Sequence, residues 1–83
     1  MNPHSNYQIL YFGLLAERRG LGTERIESAA ITPAAIYAEL HGTYQLGIGR
    51  EHLRVAVNDE FVNWDHPLQS GDSVAFLPPM SGG

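Results

Sequence analysis

Neither cysteine nor lysine occurs anywhere in this chain. Without cysteine there is no disulfide framework, no thiolate nucleophile and no cysteine-held zinc or iron–sulfur cluster. Any sulfur chemistry must then be carried by some other group. Without lysine there is no ε-amine for Schiff-base catalysis or for receiving an isopeptide bond from another copy, which excludes side-chain-linked homopolymers. Basic charge of any kind is scarce: five arginines stand against nine acidic residues, and the net charge of −4 opposes the basic footprint that a phosphate backbone requires. Nucleic acid is therefore not an expected partner. Long apolar runs are missing too. Residues 9–12 and 74–79 fall far short of a bilayer span, and residues 1–6 lack the basic start and apolar stretch of an export signal. The expectation is a cytoplasmic protein with no membrane partner. His4, His41, His52 and His66 share no helical spacing and have no cysteine beside them, so no metal site is expected. Asp59, Glu60, Asp65 and Asp72 fall in turns, where carboxylates serve local amides rather than forming an acid–base pair.

What is present suffices for a single domain over residues 1–83. With 43% apolar content in 83 residues, the chain supports one modest core and not two. Residues 1–6 are polar, carry Pro3 and read as a flexible leader. Residues 7–12 are aromatic and aliphatic and predict a strand, with Ile9 and Tyr11 on one face and Leu10 and Phe12 on the other. Residues 13–19 predict a short helix closed by Gly20-Leu21-Gly22, and residues 23–28 a strand whose only large apolar residue is Ile26. Thr32-Pro33 marks a helix start, because Thr32 is suited to cap free amides and Pro33 loses nothing at the first helical position. Ile36, Tyr37, Leu40 and Tyr44 then recur at three- and four-residue spacing as one apolar face. That helix ends at Gly42 or runs on towards Leu46, and residues 47–52 read as a flexible polar loop. Residues 53–57 alternate as a half-buried strand, which Asn58-Asp59 turns back into residues 60–62 as a hairpin. Trp64 reads either as a partly exposed anchor or as the lid of the core. After turns at 66–68 and 70–72, residues 73–77 predict a last strand with Val74 and Phe76 on one face and Ala75 and Leu77 on the other. This order predicts an α+β fold, a mixed sheet packed by one face on a helix.

The last strand runs into Pro78-Pro79 and then Gly82-Gly83. The prolines remove two backbone donors and favour an extended course, while glycine lacks the Cβ that would bar the backbone from a narrow slot. Residues 78–83 thus read as an extended functional tail, with a reach of roughly 20 Å at about 3.3 Å per residue. The carboxylate of Gly83 is the candidate active group. The plainer alternative is a frayed end, the usual fate of termini.

Asn63-Trp64-Asp65-His66-Pro67-Leu68, followed by Gly71-Asp72-Ser73-Val74-Ala75-Phe76-Leu77-Pro78-Pro79-Met80-Ser81-Gly82-Gly83, closely resembles the small, sulfur-carrying subunits of molybdopterin synthases. The D-H-P-L turn, the G-D-x-V-A-F strand and the P-P-x-S-G-G ending carry the specificity, and the element order of residues 7–83 fits as well. The resemblance implies the β-grasp, ubiquitin-like fold. It also implies that an activating partner enzyme, using ATP and magnesium, adenylates the carboxylate of Gly83, and that a sulfur donor converts the adenylate into a thiocarboxylate. That group is a covalent modification rather than a bound cofactor. The tail residues Pro79, Met80, Ser81 and Gly82 would then thread into the large synthase subunit of a heterotetramer. There the sulfur passes to cyclic pyranopterin monophosphate, building the dithiolene of molybdopterin in molybdenum cofactor biosynthesis. On this reading the chain is not catalytic alone but is the sulfur-donating subunit. Two stretches depart from the pattern: the acidic hairpin Asn58-Asp59-Glu60 and the unmatched loop 47–49.

Phe12, Phe61 and Leu77 are the expected partner-binding surface. The alternation sets Phe12 and Leu77 opposite the core residues, and an apolar patch at the root of an extended tail reads as a protein interface. Its alternative is cover for a second small core. Other functions stay open at this point: the sulfur carrier of thiazole synthesis, which shares the Gly-Gly ending; a ubiquitin-like modifier conjugated through Gly83; and a β-grasp binding module with an inert tail. The ferredoxin version of the fold is excluded by the lack of cysteine ligands.

Overall fold

The computed structural model describes residues 4–79. Met80, Ser81, Gly82 and Gly83, and with them the expected thiocarboxylate position and most of the expected threading segment, lie outside the described residues. The chain runs β1 (Ser5–Tyr11), α1 (Leu14–Arg19), β2 (Thr23–Ser28), α2 (Pro33–Tyr44), a 3₁₀ turn (Arg50–His52), β3 (Arg54–Val57), β4 (Glu60–Val62) and β5 (Ser73–Leu77). The strands form one five-stranded sheet in the order β2-β1-β5-β3-β4. β1 and β5 pair in parallel near its middle, and every other pairing is antiparallel. This is the mixed sheet and helix of a β-grasp fold. No helix among the described residues is long and apolar enough to cross a membrane.

Alternation decides which face the sheet buries. Tyr7, Ile9 and Tyr11 on β1, Val74 and Phe76 on β5, and Val55 and Val57 on β3 are all buried, and they share one cluster with Leu15 of α1 and with Ile36, Tyr37 and Leu40 of α2. At its centre Phe76 lies 5.1 Å from the ring of Tyr37 and stacks on Trp64 at 5.9 Å. Trp64 is thus the half-buried lid of the core. α2 starts where the sequence signals it: the Thr32 hydroxyl accepts from Ala35 N at 3.2 Å and Pro33 opens the first turn. The β3–β4 hairpin turns through Asn58 and Asp59, both left-handed at φ 52° and 72°, the backbone that a tight two-residue hairpin needs. The Asn58 side chain also ties the hairpin to β5, accepting from Ser73 N and donating to Asp72 Oδ1, each at 3.0 Å.

Several local expectations differ from what is observed. Ser5 and Asn6, read as leader, pair with Ser28 and Glu27, because β2 extends far enough to supply their partners. β1 ends at Tyr11, leaving Phe12 just beyond it. Of the two ends expected for α2, Gly42 or a continuation towards Leu46, the second is observed: the helix continues to Tyr44 and closes on Gln45 in a left-handed conformation, its N–H donating to His41 O. Tyr44 consequently turns away from the core and is exposed, and Leu46 fills the place expected of it with no exposed surface. The loop 47–52 is more structured than its composition suggests. Ile48 packs against the core, and its carbonyl accepts from the Tyr37 hydroxyl.

Candidate functional site

Because β5 lies parallel to β1, its C-terminal end emerges at the same edge of the sheet as Phe12 and Gly13. Gly13 holds φ 57° and ψ −131°, a combination that residues with a Cβ avoid. A Cβ added there would stand 3.2 Å from Pro78 Cγ. The missing side chain therefore leaves room for the first tail residue, and Pro78 is half-buried while Pro79 is exposed. Gly13 fixes the root of the tail, a role that its place before a short helix does not signal.

The sheet face opposite the core is where the expected docking residues stand. Phe12 is 44% exposed and Phe61 58%, whereas Leu77 is half-buried. Paired residues share a face, so the register strings Leu10, Ala75, Ala56 and Phe61 into one apolar row across β1, β5, β3 and β4. In the next row Leu77 pairs with Arg54. Half-buried Leu10 and Ala75 thus join the three residues singled out from the sequence, with the buried Ala56 between Ala75 and Phe61, and they become visible only once the strand order is known. The buried apolar residues of both helices pack on the other side of the sheet, so neither helix covers this face among the described residues. Arg54 adds a positive charge to it, with its guanidinium carbon 4.1 Å from the Phe61 ring centroid, within the range of a cation–π contact.

Behind Phe12 the structure is braced by a polar cluster. Arg19 makes two hydrogen bonds to Glu24, at 2.7 and 3.0 Å, the Tyr11 hydroxyl donates to the same carboxylate at 2.6 Å, and Arg19 lies over the Tyr44 ring at 3.7 Å. Glu24 points to the core side of an edge strand. It is tolerated there because the Arg19 fork answers it. The Arg19 hydrogen bonds hold Glu24 below the usual carboxylate range, and the same contact raises Arg19. Burial, with Glu24 beside it, pushes the Tyr11 hydroxyl well above the ordinary phenol value, so Tyr11 stays a neutral donor. α1, β1, β2 and the end of α2 are thereby joined close to the tail root.

The histidines do not assemble. Among the described residues no three of His, Asp and Glu gather as a metal site. Asp72 caps the turn before β5, accepting from Gln69 N at 2.8 Å and from Asn58. Among the described residues at the tail root and on the docking face, none forms a nucleophile paired with a base; the buried Ser28 hydroxyl donates to Glu39 at 2.9 Å elsewhere, between the end of β2 and α2. What the arrangement offers is a rigid body, an exposed apolar face and a strand delivering its C-terminal extension from the edge of that face.

Comparison with known proteins gives a consistent picture. The model of the ThiS family matches residues 9–83. The molybdopterin synthase sulfur carrier subunit of Escherichia coli is 37% identical over 81 residues, covering 92% of this chain and 98% of its own. Among solved structures, SAMP1 from Haloferax volcanii superposes with a TM-score of 0.79 at 26% identity, over 95% of this chain and all of its own. Subunits 1 and 2 of the molybdopterin-converting factor of Helicobacter pylori were solved as a protein–protein complex. A chain of that complex matches with a TM-score of 0.67 at 25% identity, over 94% of this chain and 99% of its own.

Proposed function

The chain belongs to the ThiS family, and from that premise we propose that it is the sulfur-carrier subunit of molybdopterin synthase, working through the carboxylate of Gly83. The observation that carries the reading is the delivery of the tail. The parallel β1–β5 pair brings Pro78 and Pro79 out at one sheet edge, beside the exposed apolar face bearing Phe12, Phe61 and Leu77. The named carrier of E. coli and the two-subunit complex of H. pylori support a large subunit as the partner. On our reading that subunit covers this face, in a heterotetramer.

The chemistry follows from what a carboxylate lacks. Ionised at neutral pH, with a pKa of about 3.5, it resists nucleophilic attack. Attack of its oxygen on the α-phosphorus of ATP, with loss of pyrophosphate, turns the terminal acyl group into an adenylate. A donor of sulfide-level sulfur then attacks the acyl carbon, forming a C–S bond as the C–O bond to AMP breaks, so that AMP leaves and the terminus becomes a thiocarboxylate. Its sulfur is soft and weakly hydrated, so it is a competent nucleophile without a neighbouring base. The folded body therefore needs no acid, base or metal of its own, and the groups that orient ATP and the pterin belong to its partners. Met80, Ser81 and Gly82 follow Pro79 into the large subunit. There sulfur is transferred to cyclic pyranopterin monophosphate.

Reconstitution tests this reading: the thiocarboxylated chain, a molybdopterin synthase large subunit and the pterin precursor should yield the dithiolene. No product here, alongside sulfur transfer in a thiazole-forming assay, would replace it with the thiazole carrier. The likeness to SAMP1, a small archaeal modifier protein, favours a second reading as a protein modifier. Covalent attachment of the chain through Gly83 to other proteins in cells would establish it.

A further inference from the structure

One feature of the docking face is not explained by apolar contact. Arg54 pairs with Leu77 across β3 and β5, so it stands beside the last strand residue before the tail and on the same face as Leu77. Its guanidinium lies over the exposed Phe61 ring. Among the described residues no carboxylate comes within ion-pairing distance of Arg54; the pairs formed are Arg19 with Glu24 and His52 with Glu51. Arg54 also lines a cleft of about 410 Å³, together with Leu53, Val55, Phe61, Asn63 and Trp64.

A guanidinium held with its carbon over an aromatic ring still presents a rigid fork of N–H donors. A purely apolar partner laid over this face would strip water from the fork and leave donors unmatched, which is strongly unfavourable. A carboxylate accepts two of those hydrogen bonds at once. A partner that receives the tail and docks on this face meets Leu77 and, beside it, Arg54.

We propose that Arg54 is a specificity-determining residue of the docking face, and that the large subunit presents an aspartate or glutamate to it, beside apolar side chains that cover Leu10, Ala75 and Phe61. The proposal rests on the carrier reading above. Its chemistry is a local one: a chain of net charge −4 receives an acid only because one arginine is held ready at the tail root. Phe61 then has two tasks, apolar contact with the partner and alignment of the Arg54 fork.

The test is calorimetric titration of the full chain into purified large subunit at low and high salt, with Arg54→Leu, Arg54→Gln and Arg54→Lys. Leucine keeps the face apolar and removes the charge, so it separates the two models of the surface. Arg54→Leu and Arg54→Gln should each weaken binding by about tenfold, Arg54→Lys by less, and both neutral variants should flatten the salt dependence seen with the wild type. A merely structural role for Arg54 would not alter that salt dependence. If Arg54→Leu binds as tightly as the wild type with the same salt response, the inference is wrong while the carrier reading stands. If the wild-type chain fails to bind the large subunit at all, the carrier reading falls and the inference with it.

Discussion

Phe61 and Phe76 lie on opposite faces of one sheet, and truncating each to alanine separates docking from folding. Phe76 has no exposed surface and contacts Tyr37 and Trp64. Its removal leaves a cavity, and a loss of about 3–5 kcal/mol is expected, which lowers the melting temperature of a domain this size by at least about 12 °C. Phe61 is 58% exposed, so roughly 120 Å² of a phenylalanine's area of about 200 Å² is left for a partner. At about 25 cal/mol per Å² that surface is worth at most about 3 kcal/mol to docking. Association and side-chain ordering offset part of this, so Phe61→Ala should weaken binding to the large subunit by roughly tenfold to a hundredfold. The smaller area that Phe61 covers within the fold limits the stability loss to about 1 kcal/mol, given that unfolded chains already bury some of it. Thermal unfolding by circular dichroism and titration calorimetry measure the two effects separately. The assignment of faces would be refuted if Phe61→Ala lowered the melting temperature as far as Phe76→Ala, or if it left the dissociation constant unchanged.

Gly13→Ala places a Cβ where the backbone is left-handed and 3.2 Å from Pro78. A loss of about 1–3 kcal/mol should be accompanied by slower sulfur delivery at saturating large subunit, measured by unfolding and by single-turnover product formation; no change in either would dismiss the tail-root role. Glu24→Gln removes the charge that answers Arg19 and should cost about 2 kcal/mol at pH 7, read as a drop of roughly 10 °C in melting temperature. Because Arg19 holds Glu24 below the usual carboxylate range, the stabilisation is fully present above the unfolded-state value of about 4.5 and is lost as pH falls through the lower, folded value. The gap between wild type and variant should therefore close in acid; a gap constant from pH 7 to strongly acidic conditions would contradict the assigned cause.

Much of the architecture was legible because local chemistry and periodicity agreed. Thr32-Pro33 announces α2, Asn58-Asp59 announces a hairpin, and the alternation through residues 73–77 separates Val74 and Phe76 from Ala75 and Leu77. Signals failed or stayed open where a tertiary contact overrode composition. Gly42 leaves the end of α2 open between two positions, and the helix runs past it to Tyr44 before Leu46 enters the core. Ser5 and Asn6 look like a leader, yet β2 offers them partners. Residues 23–28 offer only Ile26 as a large apolar residue and do not single out Glu24, whose inward position depends on Arg19 returning across the Gly20–Gly22 turn. At the candidate site, alternation identified which side of the sheet Phe12 and Leu77 occupy. It did not reveal that Arg54 stands next to Leu77, since that neighbour relation requires β5 to lie between β1 and β3. The role of Gly13 depends on the same strand order, because Pro78 is distant from it in sequence.

The central claim is that Gly83 carries a transferable sulfur and that the folded domain serves to present it. The most direct measurement is the intact mass of the chain isolated from cells with an active sulfur pathway, beside a variant lacking Gly82 and Gly83. The account predicts that the complete chain gains the mass difference of one sulfur replacing one oxygen, localised to its terminus, and that the shortened variant gains nothing and supports no cofactor synthesis. An unmodified terminus under every condition, or a shortened variant that still sustains cofactor synthesis, would contradict it.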